Sequence, residues 1–188
     1  MPDGTDGADR AGGQLDRAAN VFGALALVIA DETEDAVAAA AGRSDSAAAA
    51  LSALLHFLDR PSVDRLRQVL GLTSSGTVRL IDRLVESGYV RRDAGTDGRS
   101  TSVVLTEQGR QAAIAVSAAR AGVLSTALAV LSADERVTFE RLAGKILVGR
   151  MRGPGANRWI CRLCDVGVCR GTEGGCPAGN AAMRRYGS

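Results

Sequence analysis

Between Ser62 and Arg110 the apolar positions change period twice. Val63, Leu66, Val69 and Leu70 recur at helical spacing and predict a short amphipathic helix. Gly71-Leu72-Thr73 then reads as a turn. Beyond it Val78, Ile81, Leu84 and Val85 fall at i, i+3, i+6 and i+7, which predicts a second helix burying those four residues. Thr73 or Ser74 can cap it through a hydroxyl, and Gly88 is placed to end it. Its polar face would carry Ser75, Arg79, Asp82, Arg83 and Glu86. After Gly88 the pattern turns to strands, Tyr89 to Arg92 and Thr101 to Thr106, around the polar, glycine-bearing stretch 93–100. Two helices joined by a short turn form a helix-turn-helix, and a β-hairpin directly after the second helix forms a wing.

The flanking segments are helical in pattern. From Gln14 to about Ala41 the residues Leu15, Ala19, Phe22, Leu25 and Ile29 fall on one stripe. A second helix is expected from about Asp45 to Leu58, with Leu51, Leu54, Leu55 and Leu58 inward, and Pro61 marks the boundary before the helix-turn-helix. After the wing an Ala-rich helix runs from Thr106 to about Leu131. Ser132, with Glu135 at the reciprocal position, then opens a helix to about Arg150 through a capping box. In that last helix Val137, Phe139, Leu142, Ile146 and Leu147 lie largely on one side. The fold class is mainly α: a winged helix-turn-helix with a two-stranded wing, flanked by long helices. Residues 1–13, rich in Gly and Asp, are expected to be disordered. Residues 14–151 form the winged-helix and dimerisation domain, and 152–188 a Cys-rich tail.

Composition sharpens this. Hydrophobic residues make up 46% of the chain but aromatics only 3%, so the core must be built from Ala, Leu and Val, which suits helices. The net charge of +2 does not by itself announce a polyanion partner, but its distribution does. Residues 1–59 carry −7, residues 60–110 carry +3 and residues 150–188 carry +5. Lys145 is the only lysine, so the positive charge is almost wholly guanidinium, which forks to guanine or phosphate. A coding bias is the main source of that preference. No stretch approaches the ~18–20 apolar residues of a membrane span. The short apolar run Val21 to Ala30 follows an acidic stretch without a processing site, so a signal peptide is a poor reading and a cytoplasmic location is expected.

The run LTSSGTVRLIDRLVESGYVRR, followed by DGRSTSVVLTEQGR, resembles the MarR family of bacterial transcriptional regulators. That family has an Asp-x-Arg motif in the wing and a strand ending in Leu-Thr-x-x-Gly. Here these are Asp97-Gly98-Arg99 and Leu105-Thr106-Glu107-Gln108-Gly109. The resemblance covers roughly residues 50–112 and, for the flanks, extends to kind only. It implies a homodimer built on the first and last two helices, presenting two recognition helices to a pseudo-palindromic double-stranded operator, most simply as a repressor. Thr73, Ser74, Ser75 and Thr77 would offer hydroxyls at the start of the recognition helix, where the helix N-terminus itself favours a phosphate. Arg79 would reach a base edge and Arg83 a phosphate. Arg99 would enter the minor groove, its guanidinium held by Asp97, and Arg91 or Arg92 would touch backbone. His56, the only histidine, is expected to be a packed or half-exposed residue rather than a sensor.

All four cysteines lie in the tail, Cys161, Cys164, Cys169 and Cys176, spaced C-x2-C-x4-C-x6-C. A reducing compartment disfavours disulfides, and four thiolates this close match a four-coordinate metal centre. The compact spread with Pro177 directly after the last Cys favours an iron–sulfur cluster over Zn2+ by a small margin. Cys176-Pro177-Ala-Gly-Asn180 is loosely similar to the closing segment of the cluster loop in MerR-type redox sensors, although the inner spacing differs. A metal-free thiol switch, with Arg158, Arg162 and Arg170 beside the thiols, is the third reading. The tail would then sense redox state or metal. With a purely structural zinc, a small-molecule effector bound between the dimer and DNA-binding parts would be sensed instead. An enzyme is not expected, since there is one histidine and no Gly-rich phosphate loop. A protein-interaction adaptor that does not bind DNA is opposed by the Arg-rich wing.

Overall fold

The computed structural model describes residues 6–41, 45–95, 101–153, 155–170 and 175–186. The chain order is α1 (Asp6–Ala41), α2 (Asp45–His56), α3 (Val63–Leu70), α4 (Ser74–Glu86), β1 (Val90–Ala94), β2 (Thr101–Leu105), α5 (Glu107–Leu128), α6 (Ala133–Arg150), α7 (Ala156–Ile160), α8 (Val166–Arg170) and α9 (Pro177–Tyr186). The strands form one antiparallel pair running from Val90 opposite Leu105 to Ala94 opposite Thr101. The expected mainly helical fold with a two-stranded wing is therefore present.

Local chemistry sets the boundaries. Ser62 caps α3, its hydroxyl accepting from the Arg65 amide, and Gly71 ends it in the left-handed conformation at φ 65°. Thr73 caps α4, accepting from the Gly76 amide at 3.1 Å. Thr106 caps α5, and Ser132 with Glu135 forms the expected capping box of α6. Thr106 Oγ1 also donates to the Gly88 carbonyl at 2.6 Å. A Cβ on Gly109 would stand 1.8 Å from the Tyr89 carbonyl oxygen. Only glycine lets the first turn of α5 lie this close to the base of the wing, which gives Leu-Thr-x-x-Gly a structural reason.

The core joins α2, α3, α4, the wing and α5. Leu51, Leu66, Leu80, Ile81, Leu84, Val90 and Val103 are almost fully buried, among the alanines of α2. Pro61 and Ser62, ahead of α3, pair with the inner strand of the wing: Val103 donates to the Pro61 carbonyl at 2.9 Å, and Ser62 bridges Ser102. A smaller cluster of Val37, Ala48 and Val116 holds α1 to α2 and α5.

Four expectations change. α1 starts at Asp6, not Gln14, so much of the segment expected to be disordered is helical. The buried face of α4 is Thr77, Leu80, Ile81 and Leu84, while Val78 is 46% exposed. Leu80 sits one turn before Leu84 and carries the stripe that had been assigned to Val78. α2 ends at His56, where the Phe57 and Leu58 amides both bond the Ala53 carbonyl. That leaves Leu55 and Leu58 half-buried at the core edge. Finally α5, rich in Ala and Val, is long and apolar enough by length and composition to cross a membrane. It packs instead along α1 and α2 and carries Arg120 midway.

The terminal helices leave apolar surface uncovered in the single chain. On α1 these residues are Val21, Phe22, Leu25, Leu27 and Val28; on α6 they are Val137, Phe139, Leu142, Ile146 and Leu147.

Candidate nucleic-acid interface and cysteine cluster

The solvent face of α4 presents Ser74, Ser75, Val78, Arg79, Arg83 and Glu86. Ser74 and Ser75 stand in its first turn, where unpaired amides and the dipole favour an anion. Arg79 Nε donates back to the Ser75 carbonyl at 3.3 Å, which lays its stem along the helix. Arg79 and Arg83 line one side of an open groove of about 510 Å³ with Gly76, Leu80 and Asp82. Thr73, the cap, is exposed. Thr77 is not available at this surface: it is fully buried and its hydroxyl donates to the Thr73 carbonyl at 2.9 Å. The helical period that points Arg79 and Arg83 outward turns Thr77 toward the core. Val78 takes its place on the outer face, and the sequence pattern alone had assigned that valine inward.

The wing strand β1 runs beside α4. Arg92 Nη2 donates to Asp82 Oδ1 at 2.5 Å, tying the wing to the recognition helix, and Arg91 pairs with Asp93. Asp93 also accepts from Arg60 at 3.1 Å. Both Arg91 and Arg92 are exposed but engaged with carboxylates, so a phosphate would have to compete for them. Asp97 and Arg99 lie outside the described residues.

The tail folds back onto this unit. Trp159 of α7 lies against the turn between α3 and α4, its Cδ1 and Nε1 each 3.2 Å from where a Cβ on Gly71 would stand. Arg162 stacks over the Trp159 ring at 4.7 Å. Leu163 packs against the winged-helix core. His56 is half-buried: its Nε2 is 2.8 Å from Ser117 Oγ on α5 and its Nδ1 3.5 Å from Asp165 in the tail. It is a packed, bridging residue, as expected.

Cys161, Cys164, Cys169 and Cys176 form no disulfide, are all partly buried, and line one cavity of about 360 Å³. The four cysteines are neighbours in the cavity, Cys164 beside Cys161, and Cys176 beside both Cys161 and Cys169. Among the described residues no group of three or more His, Cys, Asp or Glu is placed to hold a metal ion as it stands. The hydrogen bond from Cys161 holds the Cys164 thiol down at about 6, against its burial and with help from Arg120 and Arg162. The same bond, with burial, pushes Cys161 well up. Burial and the neighbouring sulfurs also raise Cys169. Arg65 and Arg158 border the cavity, and burial together with Arg158 lowers Arg65.

Residues 41–100 match the family model described as MarR family. No curated protein matches the sequence. The fold is similar to that of a MarR family protein from Bacillus stearothermophilus (24% identity, 73% of this chain and 94% of that one, TM-score 0.62). It is equally similar to the YusO protein of Bacillus subtilis (19% identity, 72% and 96%, TM-score 0.62). A third likeness is to a mutant of Staphylococcus aureus MepR bound to an oligodeoxyribonucleotide (15% identity, 71% and 98%, TM-score 0.54). At these identities the likeness speaks for the fold.

Proposed function

We propose that this protein, whose residues 41–100 match the MarR family model, is a cytoplasmic, sequence-specific DNA-binding transcription regulator rather than an enzyme. It acts as a homodimer on a pseudo-palindromic operator, as a repressor by simple occlusion. The observation that carries the DNA-binding reading is the outer face of α4, where Ser74, Ser75, Val78, Arg79 and Arg83 stand exposed beside an Arg-bearing wing. The oligonucleotide complex of S. aureus MepR, on the same fold, supports it. The homodimer reading is supported by the uncovered apolar faces of α1 and α6.

We assign the roles by residue type and position in the winged helix. Thr73, Ser74 and Ser75 would bond the phosphate at the start of α4, Arg79 would read a base edge, and Arg83 and Arg91 would hold backbone; Arg99, steadied by Asp97, is assigned to the minor groove from the Asp-x-Arg motif alone. The test is selection of duplexes from a random pool, followed by binding isotherms across salt. Arg79→Ala should cost about 1–3 kcal/mol and relax preference at one position, while Arg83→Ala and Arg99→Ala should weaken all sequences alike and each reduce the salt slope by about one. Failure to enrich any duplex sinks this reading and leaves the adaptor alternative.

A second input is supported by a cavity of about 440 Å³ between α1, α2, α5 and α7, where Ile29, Val37, Leu124 and Trp159 meet Arg120 and Arg162. Two guanidiniums against the one carboxylate of Glu34, among mostly apolar walls, suit a small organic anion as effector. Raised thermal stability with aromatic carboxylates, lost in Arg120→Ala, is the result expected.

A further inference from the structure

The four cysteines do not ride on one body. Cys161 directly follows α7, and Cys164 lies in the turn after it. α7 is seated on the helix-turn-helix through Trp159 over Gly71 and, just beyond, Leu163 in the core. Cys176 directly precedes α9, which is seated on α6. There the Pro177 ring lies 3.2 Å from a Cβ position on Gly144, and Ala178, Ala181 and Ala182 bury against Met151 and Val148. Arg185 donates to the Val148 carbonyl at 3.1 Å, and Tyr186 OH accepts from the Gly153 amide at 3.1 Å. Two elements, each with its own seat and packed on each other through Ile160, thus bring their cysteines around one cavity.

The surroundings of that cavity are cationic. Arg65 of α3 and Arg158 border it, and Arg120 of α5 and Arg162 lie near Cys164. Asp165 is the acid beside the thiols, and it also faces His56. The guanidiniums gathered around the cysteines repel one another and are offset only in part by Asp165. Four thiolates on a divalent ion or on an iron–sulfur core carry net negative charge and would supply that offset. The remaining wall, Phe57, Leu58 and Val166, is apolar and would limit access of water to such a centre.

We propose that Cys161, Cys164, Cys169 and Cys176 together ligate one soft-metal centre through their thiolates, an iron–sulfur cluster or a zinc ion, and that this centre ties α7 on the helix-turn-helix to α9 on α6. Each ligating thiol gives up its proton on binding, and the metal's previous ligands leave. Without metal, α7 and α9 are joined by Ile160 packing on the α9 alanines, so loading adds a coordinate bridge between them and stiffens the link between the DNA-reading unit and α6. The regulatory consequence rests on the proposed function: the loaded and empty chains must differ in operator affinity, because ligation alone shifts no equilibrium.

The test uses the full chain purified without oxygen. Iron, acid-labile sulfide and zinc are measured with the absorption spectrum, and amide exchange is followed before and after stripping with a chelator. One centre per chain is expected. Visible absorption with iron and sulfide identifies a cluster, and a colourless protein with zinc identifies the ion; either upholds the site. Neither metal as purified, together with no uptake of Zn2+ or of iron with sulfide by the reduced chain, overturns it. Cys176→Ser should lower metal affinity by about tenfold or more; unchanged affinity removes Cys176 from the ligand set. On stripping, exchange in 63–72 and 144–151 should rise several-fold. Trp159→Ala, which keeps every ligand, should raise exchange in 63–72 with metal still bound. Unchanged exchange in both overturns the link. None of these readouts uses DNA, so failure to bind any duplex would overturn the regulator reading alone.

Discussion

Between Thr77 and Val78 the surface of α4 passes from core to solvent, and that single step decides which side chain meets a base. A valine exposed beside Ser74 and Arg79 is suited to the thymine methyl, the one apolar group in the major groove. Val78→Ala should lower thymine preference at one position per half-site by about 1 kcal/mol, while leaving stability within about 0.5 kcal/mol. Competition binding against single-base variants and a thermal melt check both halves. Gly109 is a different case, because a methyl there meets the Tyr89 carbonyl. Gly109→Ala should destabilise by about 2 kcal/mol or more, seen as a Tm lower by roughly 4–8 °C; an unchanged Tm would show that the wing base shifts freely. Among the thiols of the metal-free chain, Cys164 should be alkylated first. Its rate should rise as pH passes upward through about 6, where its thiolate forms, while Cys161 stays protonated and slow. Peptide mapping across pH reads this directly.

At the scale of elements, the starts of α4 and α6 were legible because capping is local. Thr73, Thr106 and Ser132 each accept an amide three residues on, within a span that a sequence displays. The caps are not equivalent. Ser132 satisfies only α6, whereas Thr106 also donates to Gly88 and so joins α5 to the wing. Thr106→Val should therefore cost about 2 kcal/mol, against about 1 kcal/mol for Ser132→Ala, in denaturant unfolding. Equal losses would mean that the bond to Gly88 adds nothing. The phase of α4 was harder to read. Val78 and Leu80 are both apolar and two residues apart, and a stripe through either fits the spacing; contact with α2 and α3 selects Leu80.

For the whole molecule, the apolar faces of α1 and α6 stand uncovered among the described residues of the single chain. In the proposed dimer they are covered. Phe22→Glu or Phe139→Glu should then shift the protein toward monomer in sedimentation and lower operator affinity together. Full dimerisation in both variants would move the interface elsewhere.

What the sequence determined by itself is whatever depends on neighbours a few residues apart: the change of period from helix to strand, the caps, the turn at Gly71, the wing, and the presence of four closely spaced thiols. These rest on backbone hydrogen bonding and side-chain direction, which repeat along the chain. Only tertiary structure decided that Thr77 is buried, that Gly109 touches the wing, and that the tail seats Trp159 on Gly71 and Pro177 on Gly144. Those contacts join residues from about 20 to about 90 positions apart. They depend on the shapes of two surfaces brought together by burial, and small residues such as Gly71 and Gly144 carry no periodic signal that would announce them as docking points.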